Sequence, residues 1–388
     1  MSSDKINDFK KNLNQSKKRY RIIITTFNKA HNYGAMLQEY ALLTLLESEK
    51  YNVNVLNYND KDIAKNYKYY GLGNGTIMQR IKTIIKYTLL FKKNKKRYYN
   101  FERFENEYIN LTSKYDNVCE LNGIKTDILI TGSDQVWNFQ ITNGLSDVYT
   151  LNFGPENIRR ISYAASIGVK KIPRNLQNCY TDKISKIDKI SVREESAKSA
   201  LSPLLKNRKI DVVLDPTLLL SNESWLSVIH NVSRKPPKEK YILAYVVEKD
   251  DEYFKIVNYM SEITGLKVVH FDKIGIRYKN VLENRYTGGP DEFISLIKNA
   301  EYVIATSFHA TAFSIIFNKK FWVVPHKTTG SRVTDLLKKL CISNRAVNSL
   351  EEFKKLDFDE DIDYENVNKI LEKEREKSIN WLIDAIEK

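Results

Sequence analysis

EYVIATSFHATAFSIIF (residues 301–317) reads as an apolar strand running straight into an apolar helix. Tyr302, Val303 and Ile304 suit a buried parallel strand, and the run from Phe308 to Phe317 is too apolar for a surface helix. The polar residues gather at the joint: Thr306, Ser307, His309 and Thr311. A strand that turns directly into a helix is the repeating unit of an α/β sheet. In open parallel sheets ligands gather at the carboxyl ends of strands, which is where this joint falls.

The unit recurs along the chain. RIIITTF (21–27) reads as a strand, followed by a helix with Leu37, Ala41, Leu42, Leu45 and Leu46 at helical spacing, then by YNVNVLNY (51–58) as a second strand. TDILITGSD (126–134), RRISYAASIG (159–168), DKISVR (188–193) and IDVVLDP (210–216) continue the series. Two helices are expected between them, TIMQRIKTIIKYTLLF (76–91) and YYNFERFENEYI (98–109), separated by a basic tract. A second series starts after residue 220. YILAYVV (241–247), LKVVHF (266–271), EYVIATS (301–307) and KFWVVP (320–325) read as strands alternating with helices. One of those helices is stopped by Gly265, and another carries Pro290 in its first turn. The alternation predicts an α/β protein of two Rossmann-like domains, 21–220 and 221–350. A basic arm (1–20) would precede them, and an acidic linker with a C-terminal helix (351–388) would follow.

Length and composition agree with this division. A chain of 388 residues with 42% hydrophobic content suits two packed domains. Cys119, Cys179 and Cys341 form neither a disulfide framework nor a zinc pattern, which suits a reducing compartment. Residues 1–20 lack the apolar segment of a signal peptide, and no apolar run reaches a membrane-spanning length, so a cytoplasmic location is expected. The DFDEDID run (357–363) lacks calcium-loop spacing, and no metal site is expected. The net charge of +14 favours anionic partners. Nine Lys/Arg lie between Arg80 and Arg103 against one acid, Glu102. Residues 77–97 join an apolar stripe to a lysine-rich face, suiting either a core-facing helix or an anionic membrane surface.

The strand-end residues carry the candidate chemistry. His309 would stand in the first turn of a helix, where free N–H groups favour an anion, with Ser307 and Thr311 as further donors. Arg193 ends a strand and needs a partner, either Glu195 or a ligand's phosphate or carboxylate. Asp134 either caps the following helix or serves as base or hydroxyl ligand. Trp137 either stacks on a sugar or anchors its loop. Thr328, Thr329, Gly330, Ser331 and Arg332 precede a helix as a phosphate nest would, without P-loop spacing.

NYGAMLQEYAL, TGSDQVWN, SYAASIG, SVREESA, LDPTLLLS, SFHATAFSIIF and SRVTDLL, in this order between about residues 21 and 345, resemble the polysaccharide pyruvyl transferase family. The resemblance implies a GT-B-like pair of domains with the active site in the cleft between them, the first taking the acceptor and the second the donor, and with the C-terminal helix returning to the first domain. It implies a ketal pyruvyltransferase that moves pyruvate from phosphoenolpyruvate onto two hydroxyls of a sugar, soluble or lipid-linked. Phosphoenolpyruvate would be a substrate, and no cofactor is implied. His309 and Asp134 would be catalytic. Arg193, Ser307, Phe308, His309, Thr311, Ser331 and Arg332 would hold the donor. Asn32, Tyr33, Gly34, Ser133, Asp134, Gln135, Trp137 and Asn138 would hold the acceptor. One departure is Ala310, where the family has glycine. The competing readings are a GT-B glycosyltransferase using a nucleotide sugar and a non-catalytic basic protein binding anionic glycan or nucleic acid. No nucleic-acid module is visible, so nucleic acid is not the expected partner.

Overall fold

The computed structural model describes residues 20–64, 77–206, 208–230, 232–248, 250–273, 277–326, 330–358 and 360–388, and among these the side chains other than those of 62, 64 and 77–89. The arm expected over 1–20 therefore lies almost wholly outside the described residues, as do Thr328 and Thr329 of the proposed nest and most side chains of the amphipathic stretch.

Two parallel sheets organise the chain. The first contains β1 (Arg21–Thr25), β2 (Asn52–Val55), β3 (Ile128–Thr131), β4 (Arg159–Ala165), β5 (Lys189–Val192) and β6 (Ile210–Val212). Its order is β2-β1-β3-β4-β5-β6, parallel throughout. The second contains β7 (Tyr241–Tyr245), β8 (Lys267–His270), β9 (Val281–Asn284), β10 (Tyr302–Ala305) and β11 (Lys320–Val323), in the order β11-β10-β7-β8-β9. The strands are apolar on both faces because helices cover both: β3 and β7 are buried along their whole length.

In each sheet the order reverses once, between β1 and β3 in the first and between β7 and β10 in the second. Crevices open at such switch points, outside the carboxyl ends of the strands. Here the two crevices face each other. Residues following β1, β3, β7, β10 and β11 line a single cavity, so the fold is GT-B-like with its site between the domains.

Helix α1 (Tyr33–Ser48) joins the domains. Its first residue, Tyr33, is fully buried. The ring stacks on Phe293 of the second domain at 4.5 Å, and the hydroxyl donates to the Gly288 carbonyl at 2.8 Å. Helix α2 (Ile77–Tyr108) adds a polar clasp. Arg97 donates to the Tyr33 hydroxyl and the Tyr286 carbonyl, Asn100 donates to the Thr287 carbonyl, and Arg103 pairs with Asp291 at 2.6 Å. The last helix, named α3 here (Tyr364–Glu387), returns to the first sheet. Its Trp381 indole donates to Asp211, its Ser378 hydroxyl accepts from the Leu214 N–H, and its final carbonyls accept from Arg159.

Two expectations change. The helices read at 76–91 and 98–109 are one 32-residue helix, because the basic tract between them contains no helix breaker. Strand β9 was not expected: it is a short, half-exposed edge strand whose pairing with β8, rather than its own pattern, defines it.

Tyr33→Phe keeps the aromatic stack but removes the partner of a buried carbonyl and of Arg97. It should lower the unfolding free energy by about 1–3 kcal/mol, measured by chemical denaturation.

Candidate active site

The site is built on a buried carboxylate. Asp215 follows β6, and its side chain is inaccessible to solvent. One oxygen, Oδ1, accepts from the Thr217 N–H (3.0 Å) and hydroxyl (2.7 Å). The other, Oδ2, accepts from the Ser133 hydroxyl and from Arg193 Nη1, both at 2.8 Å. His309 reaches the same oxygen from the second domain, its Nε2 lying at 3.6 Å, an ion-pair distance too long for a hydrogen bond. Burial alone would raise the Asp215 carboxyl, but His309 and Arg193 hold it well below the usual carboxylate range.

Arg193 stands at the end of β5, stacked over the Phe308 ring at 5.0 Å. Its Nη1 is engaged by Asp215 and Ser133, while Nε and Nη2 are buried without hydrogen-bond partners. Glu194 stands 3.8 Å from Nε and accepts from the Ser166 hydroxyl at 2.7 Å. Ser166 is brought there by an irregularity in β4, where the register shifts between Ser162 and Ala165 and Ala164 adopts a φ of 54°. Burial opposes the Arg193 charge, yet Asp215, Glu194 and Asp134 more than restore it. Arg332 is less well served: burial and the neighbouring Arg193 cation both lower its pKa.

His309 lies in the first turn of the helix Phe308–Ile316, with Ser307 as N-cap, as the sequence suggested. Its ring packs directly on the backbone of Gly34. A Cβ at position 34 would come within 1.9 Å of His309 Nδ1. Glycine is therefore required at this point by close approach and not by dihedral angle.

Two cavities flank this cluster. The smaller, about 180 Å³, is lined by Asn32, Asp134 and Gln135 from the first domain and by Ser307, Phe308, His309 and Arg332 from the second, with Glu248 and His326 paired on its wall. The larger, about 480 Å³, is lined by Arg193, Glu194, Asp215, Phe308, Arg332 and Lys338 among others, with Val213, Leu214, Leu218 and Leu336 as apolar wall. Phe308 and Arg332 line both. Arg193 and His309, expected together, line different cavities and meet through Asp215.

Several expected contacts are corrected. Trp137 is fully buried. Its indole donates to the Tyr149 carbonyl and its own carbonyl accepts from Tyr180, so it anchors the loop and offers no face to a sugar. Asn138 braces the same loop through Gln135. Tyr33 is sealed in the domain interface, and Thr311 donates back to the Ser307 carbonyl of its own helix, so neither lines either of these two cavities. Ser133 supports Asp215 and lies below the surface. Ser331 begins the helix Ser331–Lys339 without lining either cavity, while its neighbour Arg332 lines both. The partner of Arg193 is Asp215 and not Glu195. Asp134 does face the smaller cavity, at a φ of 81° that brings its Oδ1 to the Gln135 N–H. Asp215, Glu194 and the Glu248–His326 pair were missed. Asp215 ends a strand just as Arg193 does, but the Pro216 after it reads as the start of a helical turn.

The family model for polysaccharide pyruvyl transferase matches residues 32–328. The chain belongs to that family. The matched range contains Gly34, Asp134, Arg193, Asp215 and His309. No curated relative matches the sequence. Among solved structures this pyruvyl transferase is similar to the UDP-GlcNAc 2-epimerase of Neisseria meningitidis, with 11% identity, TM-score 0.49, and 94% of this chain and 98% of that one covered. It is also similar to the glycosyltransferase SnogD of Streptomyces nogalater, with 11% identity, TM-score 0.42, and 95% and 100% covered.

Gly34→Ala must displace the His309 ring. Turnover should fall roughly 100-fold, the scale expected of a misplacement near 1 Å in an active site, whereas Gly123→Ala, whose Cβ would meet nothing within 4 Å, should lose far less. Parallel rate and melting measurements on the two variants check this.

Proposed function

We propose that the protein is a phosphoenolpyruvate-dependent ketal pyruvyltransferase acting on a sugar of a cell-surface polysaccharide precursor. The observation that carries the reading is Arg193, a fully buried guanidinium with two N–H-bearing atoms unused, beside an Arg332 whose charge is disfavoured. Such a pair calls for an anion. Phosphoenolpyruvate brings two, a phosphate and a carboxylate, to the boundary where Phe308 and Arg332 divide the cavities.

The chemistry then distributes as follows. His309 gives a proton to the methylene carbon, which becomes a methyl group and leaves C2 electrophilic. A sugar hydroxyl in the smaller cavity adds to C2 and loses its proton to Asp134 or His309. The C2–O bond to phosphate breaks, and Arg193 and Arg332 receive the departing dianion. The second hydroxyl closes the ketal and yields its proton to the site. The sum is one sugar ketal and one inorganic phosphate, with two hydroxyl protons transferred, one to the new methyl group and one to the phosphate. Geometry supports His309 as acid, because its ring lines the acceptor cavity while a fully buried carboxylate stands behind it. In this arrangement the acceptor meets mainly the first domain and the donor mainly residues following β10 and β11, with Arg193 contributed across the cleft.

The acceptor is proposed to be carried on a lipid at the inner face of the plasma membrane. The outer face of α2 supports this. Phe91 and Tyr99 are exposed, flanked by the exposed Lys92, Lys93, Lys95 and Lys96, and Lys95 lies over both rings. Aromatic rings among lysines suit an anionic lipid surface. Among the described residues no helix is long and apolar enough to cross a membrane. Vesicles containing phosphatidylglycerol should sediment the protein at low salt, and reversing the four lysine charges should abolish this; sedimentation by neutral vesicles alone would contradict the surface assigned.

Phosphate release from phosphoenolpyruvate, measured with galactose, glucose and N-acetylmannosamine acceptors on lipid diphosphates, tests the reaction, with product mass reporting the ketal. His309→Ala and Arg193→Lys should each reduce acceptor-dependent release at least about 100-fold. Turnover of a nucleotide sugar, with phosphoenolpyruvate ignored, would replace this reading with glycosyl transfer.

A further inference from the structure

Asp215 takes no part in the steps above, yet it touches both residues on which they depend. We propose that Asp215 is a positioning residue: it holds the His309 ring with Nε2 toward the buried carboxylate, and it fixes Arg193 by Nη1, so that Nε and Nη2 are left for the substrate anion. The inference rests on the roles proposed for His309 and Arg193 and adds the group that couples them.

The carboxylate cannot turn away. Its Oδ1 is held by two donors of Thr217, which fixes the direction of Oδ2. Three groups converge on Oδ2: the Ser133 hydroxyl, Arg193 Nη1 and the His309 ring. The ring is equally constrained. Nε2 is buried without a hydrogen-bond partner, and the opposite edge lies against Gly34. Only a small closure separates the 3.6 Å approach from a hydrogen bond, and such contacts tighten when substrate binds. Other charged groups face His309 as well. Asp134, Glu248, His326 and Arg332 line its cavity, and Arg193 stands behind Asp215. Asp215 is the carboxylate among them that solvent does not reach, so its field is screened least.

A consequence links the two cavities. An anion settling on Arg193 competes with Asp215 for the guanidinium. More of the Asp215 charge then falls on His309, so donor binding readies the acid.

The test is titration of the His309 ring in the substrate-free protein, followed across pH by NMR with labelled histidine and assigned with His309→Gln. In Asp215→Asn the midpoint should fall by about one unit, the scale of a lost opposite charge at this distance, and the alkaline limb of turnover should fall with it. Thr217→Val keeps the charge and should leave the midpoint in place while lowering the melting temperature. If Asp215→Asn does not fold, Arg193→Gln takes its place and should move the midpoint upward, because it frees the carboxylate. An unmoved midpoint in whichever variant folds overturns the proposal. A moved midpoint in a protein that ignores phosphoenolpyruvate keeps the coupling and removes the donor reading instead.

Discussion

A carboxylate withdrawn from water must find partners, and Asp215 finds them at the ends of two different sheets. Removing an ion from water without compensation costs several kcal/mol, so the pairing with Arg193 and the approach of His309 are conditions for burying Asp215 at all. Arg193 is supplied locally, from the next strand in the sheet. His309 arrives from a helix that begins more than ninety residues later. One charge thus draws the carboxyl ends of both sheets to a common point, and the cleft acquires its chemistry because of that electrostatic requirement.

The steric counterpart is at the start of α1, where three consecutive residues perform three separate tasks. Asn32 caps the helix, accepting from the Gly34 and Ala35 N–H groups, and its side chain stays at the cavity wall. Tyr33 points away into the second domain and fixes the angle between the domains. Gly34 clears the space that the His309 ring fills. The sequence motif reads as one acceptor loop, but only its first residue faces the cavity. The other two set how closely the domains meet, which in turn sets where His309 stands.

The architecture was legible because periodicity reports it directly. Buried parallel strands such as ILIT and YILAY are apolar on both faces, and their shortness separates them from a buried helix. The candidate site was legible only in outline, since residues at strand ends are polar whether they face a ligand or brace a loop. Composition cannot separate Asp134, which reaches the cavity, from Trp137, which turns inward three residues later. That difference arises from the loop path fixed by Tyr149, Tyr180 and Ser166. Asp215 illustrates the opposite failure. It obeys the strand-end rule, but its capping bond to Thr217 gives it an adequate local reason to be there, and its distant partners are invisible in the sequence. The length of α2 was misjudged for a simpler reason: lysines interrupt an apolar stripe without interrupting a helix.

Burial explains why such a site would favour transfer over hydrolysis. Arg332 stands near another arginine, and desolvation together with that neighbour disfavours its charge. In the proposed reaction a bound dianion would relieve that repulsion, and the departing phosphate would relieve it further as charge develops on its bridging oxygen. Interactions that strengthen toward the transition state are the ones that raise turnover. In that proposal, closing the site to water would protect the electrophilic C2 carbon and leave the sugar hydroxyls on the other side of Phe308 as the nucleophiles within reach. In the proposed reaction, anion preference and selectivity against water would both follow from one feature, the withdrawal of Arg193 and Asp215 from solvent between two sheets.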